Sequence, residues 1–152
     1  MKIEGPQKYE LSITPGSFVV KCEKDTNRFS GLATNNLPKL YIVSVDGKPV
    51  YVGLTRQSVG SRLRYGMKAD GKRGYHGYKW RHKHDAATLH VWCHTDADNR
   101  NVDDVETVEA EVVFLIRQHL NQWPESQMEI HFRPSTAEHR AVAKQIFDYF
   151  KL

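Results

Sequence analysis

The sequence predicts an α+β fold: a small central sheet, mixed or antiparallel, that starts with a β-hairpin and is flanked by helices. Three observations carry this. Leu40–Val45 and Val50–Gly53 are apolar strand-like runs with Asp46-Gly47 between them, the turn chemistry of a hairpin. Val105, Val108, Val112, Leu115 and His119 recur at spacings of three and four, which is helical periodicity. The order read along the chain is strand, strand, helix, strand, helix, strand, helix. The first pair must be antiparallel, and the sum is a sheet covered by helices.

The first 37 residues read as an accessory layer. Tyr9, Leu11 and Ile13 alternate, and Phe18-Val19-Val20 is a short apolar run, with Pro15-Gly16 as the turn between two strands. After the hairpin, Thr55 or Ser58 caps a short helix with Val59 and Leu63 facing the core and Arg62 at the edge of their stripe. Gly66–Gly77 has four glycines and reads as a flexible loop. Leu89–Cys93 is a strand. Asp103 or Asp104 then caps a helix running to about Leu120, which Trp123-Pro124 ends. Met128–Phe132 reads as a fourth strand of the core, with Glu129 and His131 on one face. Ser135-x-x-Glu138 is a capping box that opens a last helix with Val142, Ile146 and Tyr149 on its apolar side. The expectation is a single domain over residues 1–152, with a core at 38–132, a strand extension at 1–37 and a terminal helix at 135–152.

Length and composition fit one soluble domain: 152 residues, 39% hydrophobic and 26% charged. No apolar run is long enough for a bilayer, and the N-terminus has no stretch resembling a secretory signal. Cys22 and Cys93 have neither metal-type nor redox-type spacing, so a cytoplasmic, reducing location is expected. Charge is unevenly placed. Between Arg56 and Asp85 nine Lys/Arg face two acids, and Tyr65, Tyr75, Tyr78 and Trp80 are interleaved with them. Cations among aromatics suit a phosphate backbone and its bases. Arg64, Tyr75, His76, Tyr78, Lys79, Trp80 and Arg81 are therefore the candidate nucleic-acid contacts. From Thr95 to Glu111 seven acids face one arginine, Arg100, a surface that repels polyanions but can hold a cation.

The hairpin register sets a geometric condition. Side chains alternate with period two, and residues directly opposite share a face. With a simple two-residue loop at Asp46-Gly47, Val45 pairs with Lys48 and Tyr51 falls opposite Ile42. Tyr41 and Tyr51 then point to opposite faces. A shared surface requires a three- or five-residue loop or a bulge.

Tyr41, Tyr51, Arg62 and a later acidic helix are the parts from which phosphodiester hydrolysis is built. That reaction needs an activated water, charge neutralisation at phosphorus and help for the leaving oxygen. A lone carboxylate can anchor Mg²⁺, which keeps several waters. An arginine fork grips phosphate. A tyrosine can serve as base if nearby positive charge lowers its pKa.

These residues also carry a resemblance. Lys39-Leu40-Tyr41 stands where the GIY-YIG nuclease family has Gly-Ile-Tyr, and Tyr51-Val52-Gly53 where it has Tyr-Ile-Gly. Gly53-Leu54-Thr55 followed by Arg62-Leu63 resembles that family's path to its helix-borne arginine. The resemblance implies a central antiparallel sheet flanked by helices and an endonuclease using one divalent ion, Mg²⁺ or Mn²⁺, on nucleic acid, with DNA the expected form. It implies Tyr41 as base, Tyr51 as the residue positioning water or phosphate, Arg62 on the phosphate, Gly53 leaving room for close packing, and a glutamate as metal ligand. Glu109 and Glu111 both precede an apolar pair at i+3 and i+4; they flank opposite edges of the apolar stripe, and Glu109 is preferred, with Glu111 the alternative. The chain departs from the family in two places. Gly66 stands where a Tyr or His often follows the arginine, with Tyr65, Tyr75 or His76 as replacements, and Pro124 is followed by Gln127 where an Asn is usual.

Rival readings are a catalytically idle nucleic-acid-binding module, a protein-interaction domain using the acidic segment, and a transition-metal site at His82, His84, Asp85 and His94.

Overall fold

The alternation of Tyr9, Leu11 and Ile13 places all three in the core of a long first strand, β1 (Ile3–Thr14), which turns at Pro15-Gly16 into β2 (Ser17–Cys22). The computed structural model describes residues 1–96, 98 and 101–152; the expected Arg100 of the acidic segment lies outside them. After β3 (Lys39–Val45) and β4 (Lys48–Thr55) come α1 (Val59–Met67), β5 (Ala86–His94), α2 (Val102–Leu120) and α3 (Ala137–Asp148). The strands form one sheet in the order β2-β1-β5-β3-β4, with every pair antiparallel. The expected α+β class holds. The N-terminal residues are not a separate layer: β1 pairs with β5 and widens the same sheet.

Each face of the sheet has its own core. On one, Tyr41, Val43 and Tyr51 pack with Leu11, Val59 and Leu63 under α1 and the segment carrying Tyr78 and Trp80. On the other, Leu40, Ile42, Val52 and Trp92 pack against Val105, Val108 and Val112 of α2 and Ile146 of α3. The near-continuous burial of β3 arises from its place between β5 and β4 with both faces covered.

The helix starts differ in detail from expectation. Ser58 caps α1 by accepting from the Ser61 amide. Asn101, rather than Asp103 or Asp104, caps α2 by accepting from the Asp103 amide, and the two aspartates fill the first turn, where the helix dipole favours them. Helix α2 stops at Asn121 (φ 57°), before Trp123-Pro124. The capping box of α3 is formed by Thr136 and His139 rather than Ser135 and Glu138. Met128–Phe132 forms no strand; Met128 and Phe132 are 44% and 60% exposed, so their alternation buries little. The position a further strand would take, the outer edge of β4, is closed by a side chain. Gln127 accepts from the Val52 amide and donates to the Val52 carbonyl, both at 2.9 Å, while the Ser126 amide donates to the Val50 carbonyl. One amide side chain thus occupies the hydrogen-bonding groups that a strand partner would use. Among the described residues, no helix is long and apolar enough to cross a membrane.

Candidate active site

The hairpin keeps its two-residue loop, with Val45 opposite Lys48 and both Asp46 (φ 51°) and Gly47 (φ 76°) left-handed, as a type I′ turn requires. The second route to a shared face is the one taken. Val43 pairs with Tyr51 but Ser44 pairs with Pro49, so Val50 is an extra residue in β4. This bulge shifts the register by one and turns Tyr51 onto the face of Tyr41. Val50 and Tyr51, adjacent in sequence, accordingly enter the same core cluster. Pro49 sits beside the bulge on an edge strand, where a missing N–H is tolerated.

Tyr41 and Tyr51 have ring centroids 5.9 Å apart. Gly53, opposite Tyr41 in the register, lies beneath them. A Cβ there would come within 2.7 Å of both Tyr41 Cζ and Tyr51 Cε1, so glycine is what allows both rings to lie over this strand. Tyr78 completes the group: its hydroxyl is 2.8 Å from that of Tyr41, and its ring centroid is 5.3 Å from that of Tyr51.

Tyr78 also explains the departure at Gly66. A Cβ on Gly66 would be 2.1 Å from Tyr78 Cε2. The side chain missing from helix α1 leaves space that a ring from twelve residues further along the chain fills. None of the expected replacements, Tyr65, Tyr75 or His76, does this. The signal available in the sequence was the glycine itself, followed by a glycine-rich excursion that allows the chain to return.

Arg62, partly buried on α1, has its guanidinium 5.1 Å from the Tyr78 ring centroid and 5.9 Å from that of Tyr75. One of its N–H groups donates to the Tyr75 hydroxyl at 2.8 Å; the remaining donors of its fork are those a phosphate would use. Burial opposes its charge, but the phenol oxygens of Tyr41, Tyr78 and Tyr75 hold it firmly protonated.

Glu109 stands on α2 at the β4 side of the sheet, 9% exposed. Burial, then the neighbouring Glu106 carboxylate, push its pKa up to about 8 against the pull of His131. It has no ion pair among the described residues, whereas Glu106 accepts from Arg133 Nε at 2.6 Å and bonds His131 at 3.1 Å. An ionised Glu109 disfavours the Tyr51 phenolate, but the rings pack on the other face of the sheet, under α1. Glu111 is partly buried further along α2 and enters none of these interactions. Glu129 and His131 were expected on a strand; His131 instead bridges Glu129 and Glu106 from an irregular segment, and these carboxylates raise its pKa.

The phenols carry shifts that bear on their chemistry. Burial pushes Tyr41 well above the ordinary tyrosine range, with Tyr78 and Tyr51 adding to it. Burial raises Tyr51 too, and Glu109 adds to the rise against Arg62; Tyr78 is raised chiefly by burial. At neutral pH all three are protonated. A base needs the opposite shift, and Tyr41, fully enclosed, is the least placed of the three to supply it.

The basic segment divides. Arg64, His76 and Lys79 are exposed, and Tyr75 is partly so. Tyr78 and Trp80 are 2% and 1% exposed and stack on each other at 4.9 Å, so neither offers a face to a base. Arg81 donates to the carbonyls of Gly66, Met67, Ala69 and His76, satisfying the end of α1 and the loop after it. These three were expected to touch nucleic acid and instead hold the segment over α1.

The residues fit a singly anchored hard cation and not a dedicated cage. Among the described residues no group of three or more His, Cys, Asp or Glu could hold a metal ion. Glu109 is nonetheless a buried carboxyl group with no ion pair among the described residues, and a divalent ion with its own waters would complement its ionised form. His82 bonds Arg81, His84 faces Glu125 and His94 bonds the Lys2 carbonyl, so the histidines do not gather into a transition-metal site. Comparison with known proteins returns no matching family model, no matching curated protein and no matching solved structure.

Proposed function

We propose that this chain is a metal-dependent endonuclease that hydrolyses phosphodiester bonds in nucleic acid, with DNA the expected form. The observations that support it are the meeting of Tyr41, Tyr51 and Tyr78 over Gly53 with Arg62 beside Tyr78, and a buried carboxyl group, Glu109, on α2. A site with one cationic fork, one unpaired carboxylate and several phenols has the donors to hold a phosphodiester and a water together. The resemblance to the GIY-YIG nucleases in those residues is the second support.

Glu109 would hold the ion, Mg²⁺ or Mn²⁺. When bound, that ion supplies Lewis-acid charge to the phosphate and favours loss of a proton from water. Arg62 grips the non-bridging phosphate oxygens with the donors Tyr75 leaves free. Tyr41 and Tyr78 share a hydrogen bond and fix the ring cluster. Tyr51, 8% exposed and sensitive to the charges of both Arg62 and Glu109, orients the attacking water. In the base role Tyr51 is better placed than Tyr41, because Arg62 favours both phenolates but only Tyr51 is not fully enclosed. Cys22 and Cys93 are free thiols, which suits a cytoplasmic location.

The alternative, an idle binding module of the same fold, draws on the raised phenols. Nicking of supercoiled plasmid separates the two. Cleavage should require Mg²⁺ or Mn²⁺, stop with EDTA and fall by roughly a thousandfold or more in Glu109→Ala, about 4 kcal/mol of lost transition-state stabilisation. Salt-sensitive binding without metal-dependent cleavage would leave only the idle module.

A further inference from the structure

Outside the catalytic group, two rings are stacked where they do little for the core. Tyr65 and Tyr75 lie with centroids 4.8 Å apart and planes 19° from parallel. Tyr65 is 62% exposed. The pair lines an open cavity of about 430 Å³ together with four cations, Arg64, Lys68, Lys72 and Arg73. The one acid there, Asp70, is tied to Lys72 through both its ammonium at 3.3 Å and its backbone amide at 3.0 Å. Positive charge therefore remains in excess around the rings. Arg73 sits in the left-handed region (φ 57°), a conformation that residues with a Cβ rarely adopt.

An exposed aromatic stack bracketed by cations has two kinds of contact to offer: a flat face for a base and charge for the phosphates on either side of it. Bases inside a duplex have their faces covered by their neighbours, so only an unpaired or splayed base can use such a ring. The stack is also joined to the proposed catalytic group, because the Tyr75 hydroxyl accepts from Arg62 at 2.8 Å. A base resting on this pair would steady the tyrosine that steadies the arginine.

We propose that the Tyr65–Tyr75 stack is a docking platform for an unpaired nucleotide, so that the nucleic acid taken by this protein carries a single-stranded segment beside the bond to be cut. This rests on the nuclease reading and narrows its substrate class.

The test is fluorescence anisotropy with labelled 12-nucleotide oligomers, single-stranded DNA, single-stranded RNA and the matching DNA duplex, in EDTA so that no hydrolysis occurs. The parent chain should bind a single strand more tightly than the duplex, the deoxy and ribo arms showing which sugar is preferred. Tyr65→Ala should weaken single-strand binding about tenfold, a typical effect of losing one stacking ring, and duplex binding less than twofold. Tyr65→Phe, which keeps the ring, should bind like the parent, and Tyr65→Leu like the alanine variant. Unchanged single-strand affinity in Tyr65→Ala, or equal losses on both forms, overturns the platform while leaving the plasmid-nicking result standing. Failure to bind any of the three oligomers removes the nuclease reading as well.

Discussion

Two hairpins in this sheet share a loop length and differ in the strand pairing beyond it. β1 and β2 turn at Pro15-Gly16 with Thr14 opposite Ser17, and their pairing continues to Tyr9 and Cys22 without a shift. β3 and β4 turn at Asp46-Gly47 with Val45 opposite Lys48, and the pairing then takes in one extra residue at Val50. The regular hairpin sends Tyr9, Leu11 and Ile13 into one core, as simple alternation demands. The irregular one breaks alternation once, and the break brings Tyr51 to Tyr41, over Gly53, on the face that α1 covers. Bulges re-aim side chains; here the re-aimed side chain is the one the proposed chemistry needs.

Removing the bulge tests that contrast most severely. Deleting Val50 removes the extra residue and leaves Tyr51 opposite Val43, still on the face of Tyr41. The ring group should therefore survive: plasmid nicking should stay measurable, while loss of a buried valine lowers stability by about 2 kcal/mol, read by thermal melting. Deleting Val19, an exposed residue of β2 on the sheet's outer edge, should leave cleavage measurable. Loss of nicking in a folded Val50 deletion would deny that the pairing of Tyr51 with Val43 is what places it beside Tyr41.

The second contrast is electrostatic. Folding raises the Glu109 pKa from 4.5 to about 8, so between those values the folded state holds the proton more tightly than the unfolded chain. This contribution is fully present below pH 4.5 and is lost as pH rises through 8. Glu109→Gln escapes the loss. It should melt close to the parent at pH 5 and higher than the parent at pH 9, by on the order of 2–3 kcal/mol. A gap independent of pH would show that Glu109 is not held in a desolvated place.

Glycines give the smallest effects. Gly53→Ala sets a Cβ 2.7 Å from two buried rings and should cost about 2 kcal/mol, with cleavage impaired as the rings part. Gly16→Ala in the regular hairpin meets nothing within 4 Å but keeps φ +73°, and should cost about 1 kcal/mol with no effect on cleavage. Urea unfolding of the two variants, compared with their nicking rates, separates steric from backbone strain.

The contrast also marks what the sequence could convey. The apolar periods of α1, α2 and α3 and the turn residues of both hairpins are local, and the elements they specify are present. The condition on Tyr41 and Tyr51 came from pleat geometry, although alternation could not say which remedy the chain used. Non-local facts were hidden. β1 joins the sheet through β5, about eighty residues later, and nothing in its own pattern names that partner. Met128–Phe132 alternates like a strand, but Gln127 already closes the edge it would join. Tyr78, Trp80 and Arg81 have the composition of a nucleic-acid surface, and only tertiary packing reveals that they face inwards. Glu109 and Glu111 both meet the sequence spacing; burial distinguishes them.

That distinction is open to one direct measurement: the number of Mn²⁺ ions bound at pH 8, counted by loss of the free-ion paramagnetic resonance signal, in the parent, Glu109→Gln and Glu111→Gln. One ion is expected in the parent and in Glu111→Gln, and none in Glu109→Gln. Retention of the ion by Glu109→Gln, or its loss from Glu111→Gln, would contradict the assignment of Glu109 as the metal ligand.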